Sequence, residues 1–276
     1  MILSLMKTKC VDTTFGRLAL TARDALELVR AAYRSPENIG TLANDQLATY
    51  LVTRLCLPGK GFIDIGAHIG SIVSEVIRHD HSIKLYAIEP MPDKVRHLRE
   101  RFPTVELHQC ALGDVEEEVP FFVNIKQSGY SSLGRPHNSE DLEIIKVPKK
   151  RLDVLISSDD IDVIKIDVEG AELGVFRGGE ALIKRSRPTL MFESASPQAC
   201  DGLNYKKESM WRWLNERDFD VVVPNRVAHN GSGLCLDGFL EAHLYPRRTT
   251  NYFAIPKERR IEIRDRARAA LRIAAS

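Results

Sequence analysis

The chain has 276 residues, with 39 Lys and Arg against 38 Asp and Glu, for a formal net charge of +1. That balance excludes the concentrated basic surplus with which a dedicated nucleic-acid binder meets phosphates. Hydrophobic residues at 43% and charged residues at 28% exclude a disordered chain and imply a sizeable buried core, in one domain or two.

The amino terminus, MILSLMKTKC, is a poor secretory signal because its apolar run is short and no basic segment precedes it. No apolar stretch approaches the ~20 residues of a membrane span. Cys10, Cys56, Cys110, Cys200 and Cys235 are odd in number and form no C-x-x-C pair, which favours a reduced, cytoplasmic setting. Residues 1–57 read as an N-terminal lead-in, largely helical over 21–57. From there β-rich runs alternate with amphipathic segments, the pattern of a parallel sheet covered by helices. The runs are 61–65 (GFIDI), 83–88 (IKLYAI), 105–111 (VELHQCA), 163–166 (VIKI) and 189–192 (TLMF). Between the first two, Ile69, Ile72, Val73, Val76 and Ile77 fall on one helical face, and 92–102 opens on Pro92 and Asp93 like a second helix.

Residues 116–150 break this rhythm: VPFFVNI and EIIKVP are strand-like around a polar loop, expected as an insertion over the carboxyl edge of the sheet. Short helices are expected over 151–157 and from Gly170 through Phe176, then a helix over 206–217 and a strand at FDVVVP. After an irregular stretch over 225–248, TNYFAIP reads as the closing strand of a domain spanning 58–256. The tail, 257–276, carries seven basic and three acidic residues and is expected as a solvated, charged C-terminal helix.

The sharpest local signal is Asp64-Ile65-Gly66-Ala67-His68-Ile69-Gly70, where a strand gives way to a helix. Glycines there allow a tight turn and close approach of a ligand to the backbone. Glu89 ends the next strand 23 residues after Gly66, near the spacing of roughly 20 residues at which a carboxylate reaches ribose hydroxyls, so an adenosine-containing ligand is expected. The G-x-x-x-G spacing departs from the nicotinamide-dinucleotide pattern. Asp64 would sit badly beside a pyrophosphate but well beside the ammonium and sulfonium of S-adenosylmethionine. A second strand-to-helix turn, Ile166-Asp167-Val168-Glu169-Gly170-Ala171-Glu172, brings Asp167 and Glu169 to the carboxyl edge, and Glu193 after TLMF is a third acid at a strand end. Each could instead merely favour a helix amino terminus, Glu172 above all.

Taken together, FIDIGAHIG, AIEPMPD, CALGD, SSL, VIKIDVEGAE and PTLMFES resemble the FkbM family of S-adenosylmethionine-dependent methyltransferases, over about Phe62 to Ser194. The resemblance implies an α/β, class I methyltransferase Rossmann-like fold: a seven-stranded, mostly parallel sheet with helices on both faces and an antiparallel last strand. It implies O-methylation of a hydroxyl on a sugar, glycan or natural-product small molecule; the charge balance and the lack of an N-P-P-aromatic tetrapeptide after the fourth strand argue against a nucleic-acid partner. Carried over, Asp64, Gly66, Ala67, His68 and Gly70 would form the cofactor loop, Glu89 would bind ribose, Ala111 and Asp114 would lie by the adenine, and Asp167 would sit near the transferring methyl. His68 departs from the family pattern, which more often has Asn there. Asp167 or Glu169 would accept the substrate proton, with Glu172, Glu193, His68 and His229 behind them. Substrate contacts are expected from Tyr130, Arg135, His137, Arg226 and His243. No metal is expected, since Arg78-His79-Asp80-His81 reads as plain surface. An NAD-type oxidoreductase and a catalytically silent cofactor-binding module remain the alternatives.

Overall fold

Short β-branched runs bounded by Gly, Pro and Asp become strands where both their faces can be buried, and the two longest-buried runs here form the centre of a sheet. The computed structural model describes residues 14–125, 131–136, 142–194, 200–201 and 206–273. Two helices come first among the described residues, α1 (Thr14–Arg34) and α2 (Ile39–Leu55). An alternating region follows: β1 (Gly61–Ile65), α3 (Ser71–His79), β2 (Lys84–Ile88), α4 (Pro92–Arg101), β3 (Glu106–His108). Next come β4 (Ala111–Leu112), β5 (Glu117–Asn124), β6 (Arg135–Pro136), β7 (Leu142–Lys150), the single-turn α5 (Leu152–Leu155) and β8 (Ile161–Ile166). The chain then runs through α6 (Glu172–Gly178), α7 (Glu180–Ser186), β9 (Thr189–Glu193), β10 (Cys200–Asp201), α8 (Lys207–Asn215), β11 (Phe219–Val222), α9 (Leu236–Glu241), β12 (Asn251–Pro256) and α10 (Arg260–Ala270).

Among the described residues, seven strands make one sheet in the order β11-β12-β9-β8-β1-β2-β3. β12 alone of these runs antiparallel to both its neighbours, while the β3-β2-β1-β8-β9 block is parallel throughout. Every residue of β1 and β8 is buried, and successive side chains alternate between two apolar layers. Phe62, Val163, Met191 and Phe253 pack with α2, α3 and α10 on one face; Ile63, Ile164, Phe192 and Tyr252 pack with Phe176 of α6 and Trp213 of α8 on the other. No helix among the described residues is long and apolar enough to cross a membrane.

Two details differ from the sequence reading, and the inserted loop adds a third pairing. The run 105–111 is not one strand: after His108 accepts a hydrogen bond from the Glu89 amide, the chain leaves the sheet, and β4 pairs with β7 in a separate three-stranded sheet, β4-β7-β5. Residues 131–134 fold back on that sheet through reciprocal Phe122–Ser132 backbone bonds of 2.9 and 3.0 Å. The C-terminal helix is docked rather than solvated. Ile263 and Ala267 are fully buried, and Arg259 and Arg266 close on the buried Asp162 carboxylate at 2.5 and 2.7 Å. Periodicity was too weak in that charged segment to reveal its two-residue apolar stripe, and Asp162, the partner of its arginines, lies about a hundred residues upstream.

Candidate functional site at the carboxyl ends of the central strands

The strand order reverses between β1 and β8, which leaves a crevice beyond their carboxyl ends. A cavity of about 180 Å³ occupies it. Its walls come from the β1 turn (Gly66, His68), the β2 end (Glu89, Met91), the β4 approach (Cys110, Ala111, Leu112), the β5 side (Phe121, Ser131, Leu133) and the β8 turn (Asp167, Glu169).

Gly66 at φ +76° makes the first turn possible, and nothing larger fits, because a Cβ there would lie 2.0 Å from the Asp167 carbonyl oxygen. The amides of Gly66 and Ala67 both donate to the Ile88 carbonyl, at 2.9 and 3.1 Å, which folds the turn over the end of β2. His68, a non-glycine residue at φ +49°, donates its amide to Glu89 Oε2 at 2.9 Å, and Met91 donates its own to Oε1 at 3.0 Å. Glu89 is therefore buried but clamped, with lone pairs left on each oxygen toward the cavity. Burial holds its carboxyl above the usual range, against the pull of those two amides.

The His68 ring lies 2.9 Å from Lys94 Nζ through Nε2. Burial, then the Lys94 and Lys165 charges, push its pKa down to about 4, so the ring is neutral and Nε2 accepts from the ammonium. That arrangement suits a loop-shaping side chain better than a proton acceptor.

The acids at the far end form a second group. Asp167, with its side chain 41% exposed, hydrogen-bonds Glu193 and lies 3.5 Å from Lys165 Nζ. Although burial opposes it, the Lys165 charge with the Glu193 hydrogen bond holds Asp167 below its usual range, while burial and the Asp167 charge push Glu193 well up. The two thus share one proton, ionised at Asp167. Carboxylate oxygens of Asp167, Glu169 and Glu193 come within 4.8 Å of one another. Glu169, another non-glycine residue in the left-handed region at φ +52°, is pushed up to about 8 by burial and then by the Asp167 and Glu172 charges. Glu172 is a buried brace: its Oε1 accepts from the Gly170 and Val168 amides at 3.1 and 3.4 Å, holding the turn that carries Glu169.

Several expected residues stand elsewhere. The Asp64 carboxylate is 1% exposed and lies behind the cavity, 3.1 Å from Lys165 Nζ, so its charge is met by a lysine and not by a ligand cation. Burial holds its carboxyl above the usual range despite that partner. Ala67 packs into the apolar layer with α2 and α3, and Gly70 (φ +80°) abuts Leu98 and Phe102 of the α4 region. Ala111 lines the cavity, whereas Asp114 lies off it, 4.0 Å from Arg177. His243 is committed to the Phe239 carbonyl at 2.7 Å and to Ser194 Oγ at 2.8 Å, and His229 and Arg226 are exposed on the segment leading away from β11. Tyr130 and His137 lie outside the described residues. Sequence reasoning missed Lys165 and Lys94. A lone lysine inside the otherwise apolar run VIKI was the signal that could have flagged the first; nothing local marks the second.

A family model described as the methyltransferase FkbM domain matches residues 64–221. Among solved structures, the chain is similar to methyltransferase FkbM from Methylobacillus flagellatus KT, at 18% identity and TM-score 0.43, over 71% of this chain and 43% of that one, less than half its length. It is also similar to a TehB-like SAM-dependent methyltransferase from Corynebacterium glutamicum ATCC 13032 Kitasato (10% identity, TM-score 0.40, 75% and 85% covered) and to Streptomyces venezuelae DesVI (9%, 0.39, 84% and 98%). No curated protein sequence matches significantly.

Proposed function

The chain belongs to the FkbM methyltransferase family, and from that premise we propose that it uses S-adenosylmethionine to methylate a hydroxyl oxygen on a sugar, glycan or natural-product small molecule. The observation that carries the reading is the polarity of the cavity. At one end Glu89 offers carboxylate lone pairs beside an apolar slot of Met91, Cys110, Leu112 and Phe121; at the other stand Asp167 and Glu169. Burial pushes the Cys110 thiol up to about 11, so it stays a neutral part of that slot.

These donors and acceptors fit the group they would hold. Glu89 can accept from a pair of ribose hydroxyls, the slot can take an adenine, and the ionised Asp167 complements a cation. When bound, S-adenosylmethionine would supply an electrophilic methyl on its sulfonium sulfur for the acceptor oxygen, with the sulfide as leaving group. The chain's task is then to align the acceptor and take its proton. Glu169 suits the second role best, since a carboxylate held near about 8 matches a proton transfer at neutral pH better than one already tied to Lys165 and Glu193. Asp167 supplies negative charge.

A dinucleotide reading is disfavoured by the same acids, which would face a pyrophosphate. Calorimetry with S-adenosylmethionine, S-adenosylhomocysteine and NAD tests the choice: the first two should bind and NAD should not. Tight NAD binding without the methyl donor overturns it. Labelled methyl passing from the donor to members of a hydroxyl-compound library would establish the reaction, and binding with no transfer to any of them would favour the silent module.

A further inference from the structure

Lys165 enters the chemistry above only as the charge that keeps Asp167 ionised, yet its buried ammonium lies close to four oxygens at the end of the central strands. It faces its register partner Asp64 across the β1–β8 ladder, and its side chain is 6% exposed. The ammonium does more than neutralise that aspartate. It donates to the carbonyl of Gly66 at 2.9 Å and to that of Ile65 at 3.3 Å, and it lies 3.1 Å from Asp64 Oδ1 and 3.5 Å from Asp167 Oδ2. The ammonium thus hydrogen-bonds two carbonyls of the glycine turn and ion-pairs with two carboxylates, one of them the acid that ends β8.

Stability alone is a weak reason for such a group, because a buried ion pair is commonly replaceable by apolar residues of the same volume at no loss. Geometry supplies a better one. The two turns already touch, with no room for a Cβ between Gly66 and the Asp167 carbonyl, and the Asp167 amide donates to Ile65 O at 3.1 Å. Backbone contact fixes how near they come. The Gly66 and Ala67 amides on the Ile88 carbonyl orient the turn, and Glu193 hydrogen-bonds the Asp167 carboxylate; Lys165 is the side chain that touches both the turn and that carboxylate.

We propose that Lys165 is a positioning residue that clips the Gly66 turn to the Asp167 side chain, setting the relation between the loop that would hold the cofactor and the acids that face its reacting end. The choice of S-adenosylhomocysteine as probe rests on the function proposed above; the clip itself does not.

The test compares Asp64→Asn with the double variant Asp64→Asn/Lys165→Met, so that no buried charge is left unpaired at position 64 in either. Both should melt within a few degrees of each other. The double variant should bind S-adenosylhomocysteine at least tenfold more weakly than Asp64→Asn alone. Its turnover at saturating donor should also fall at least tenfold further, and its amides at 66–68 should exchange with solvent at least tenfold faster in the absence of any ligand. Asp64→Asn/Lys165→Gln, which keeps a donor, should fall between the two, and it carries the comparison where the methionine variant does not fold. Equal affinity and equal amide exchange in the two backgrounds would show that Lys165 is only the counter-ion of Asp64. Failure of the wild-type protein to bind S-adenosylhomocysteine would reject the cofactor reading while leaving the exchange measurement to decide the clip.

Discussion

Glu169 bears two costs at once. Its backbone occupies the left-handed region, worth roughly 1–3 kcal/mol of strain for a non-glycine residue, and its carboxyl is raised from 4.5 to about 8. Between those two values the folded protein keeps a proton that the unfolded chain has released, so the associated stability is complete below about 4.5 and is lost as pH rises through about 8. Glu169→Gln keeps the shape without the charge. Against the variant, the wild-type protein should lose stability on the order of a few kcal/mol between about pH 5 and pH 9, read as a widening gap in melting temperature, and the variant's methyl transfer should fall roughly 100-fold. Parallel melting across that range would mean that Glu169 is not the protonated acid. His68 acts with the opposite sign. Its pKa, lowered to about 4, gives stability that is present above 6.5 and lost as pH falls through about 4, so the two effects oppose each other between 4.5 and 6.5 and Glu169 alone acts above that.

At the scale of elements, the site depends on two departures from plain alternation. The chain's exit from the sheet after His108 lays Cys110 to Leu112 along the cavity, and a continuous third strand would have carried them past it. The other is the docking of the flanking helices onto the sheet's far edge and underside. Asp45 of α2 accepts from Thr249 Oγ1, Thr250 N and Thr250 Oγ1 at 2.7, 2.9 and 2.9 Å, fixing the start of β12, and Asp162 of β8 joins two arginines to the Leu57 amide at 2.8 Å. Asp162→Ala would leave Arg259 and Arg266, at 15% and 13% exposure, with the half-exposed Glu262 as their remaining carboxylate partner. Breaking a buried pair costs about 3–5 kcal/mol where a charge is left alone, and Glu262 reduces this to about 1–3 kcal/mol, so thermal unfolding should begin roughly 5 °C lower. A melting temperature within a couple of degrees of wild type would mean that α10 is held by its apolar stripe alone.

For the whole molecule, the consequence of a ligand bridging β1, β2 and β8 is linkage, since those strands are the centre of the single large sheet. A ligand that binds the folded state alone stabilises it by about 2.7 kcal/mol at a hundred times its dissociation constant. S-adenosylhomocysteine at that ratio should therefore raise the melting temperature by roughly 5–10 °C, and NAD at equal concentration should leave it unmoved. A shift with NAD and none with S-adenosylhomocysteine would count against the methyl-donor cavity. Net charge also reads differently at this scale. The near-zero total conceals a carboxylate-rich cavity, but Lys94 and Lys165 stand behind it, and the Asp167–Glu193 proton removes a further negative charge.

Much of this was legible beforehand because it is local. Strand-sized apolar runs, the glycines at 66 and 70 and the acids at 89, 167 and 169 are set by periods of two and 3.6 and by turn chemistry, which neighbouring residues impose on one another; the order of such elements determined an alternating α/β sheet with its crevice at the carboxyl ends. What each acid does was not legible, because the protonation state of a buried carboxyl depends on partners distant in the chain. Asp64 looked like a ligand for a cation until Lys165, a hundred residues later, was seen to face it. Glu172, read from the sequence as a helix-terminus acid or a weaker proton acceptor, holds the turn that carries Glu169. The sequence by itself determined which groups arrive at the crevice; tertiary structure alone decided which of them stay charged, which are spent on one another and which remain to meet a ligand, since burial and proximity are properties of the folded arrangement.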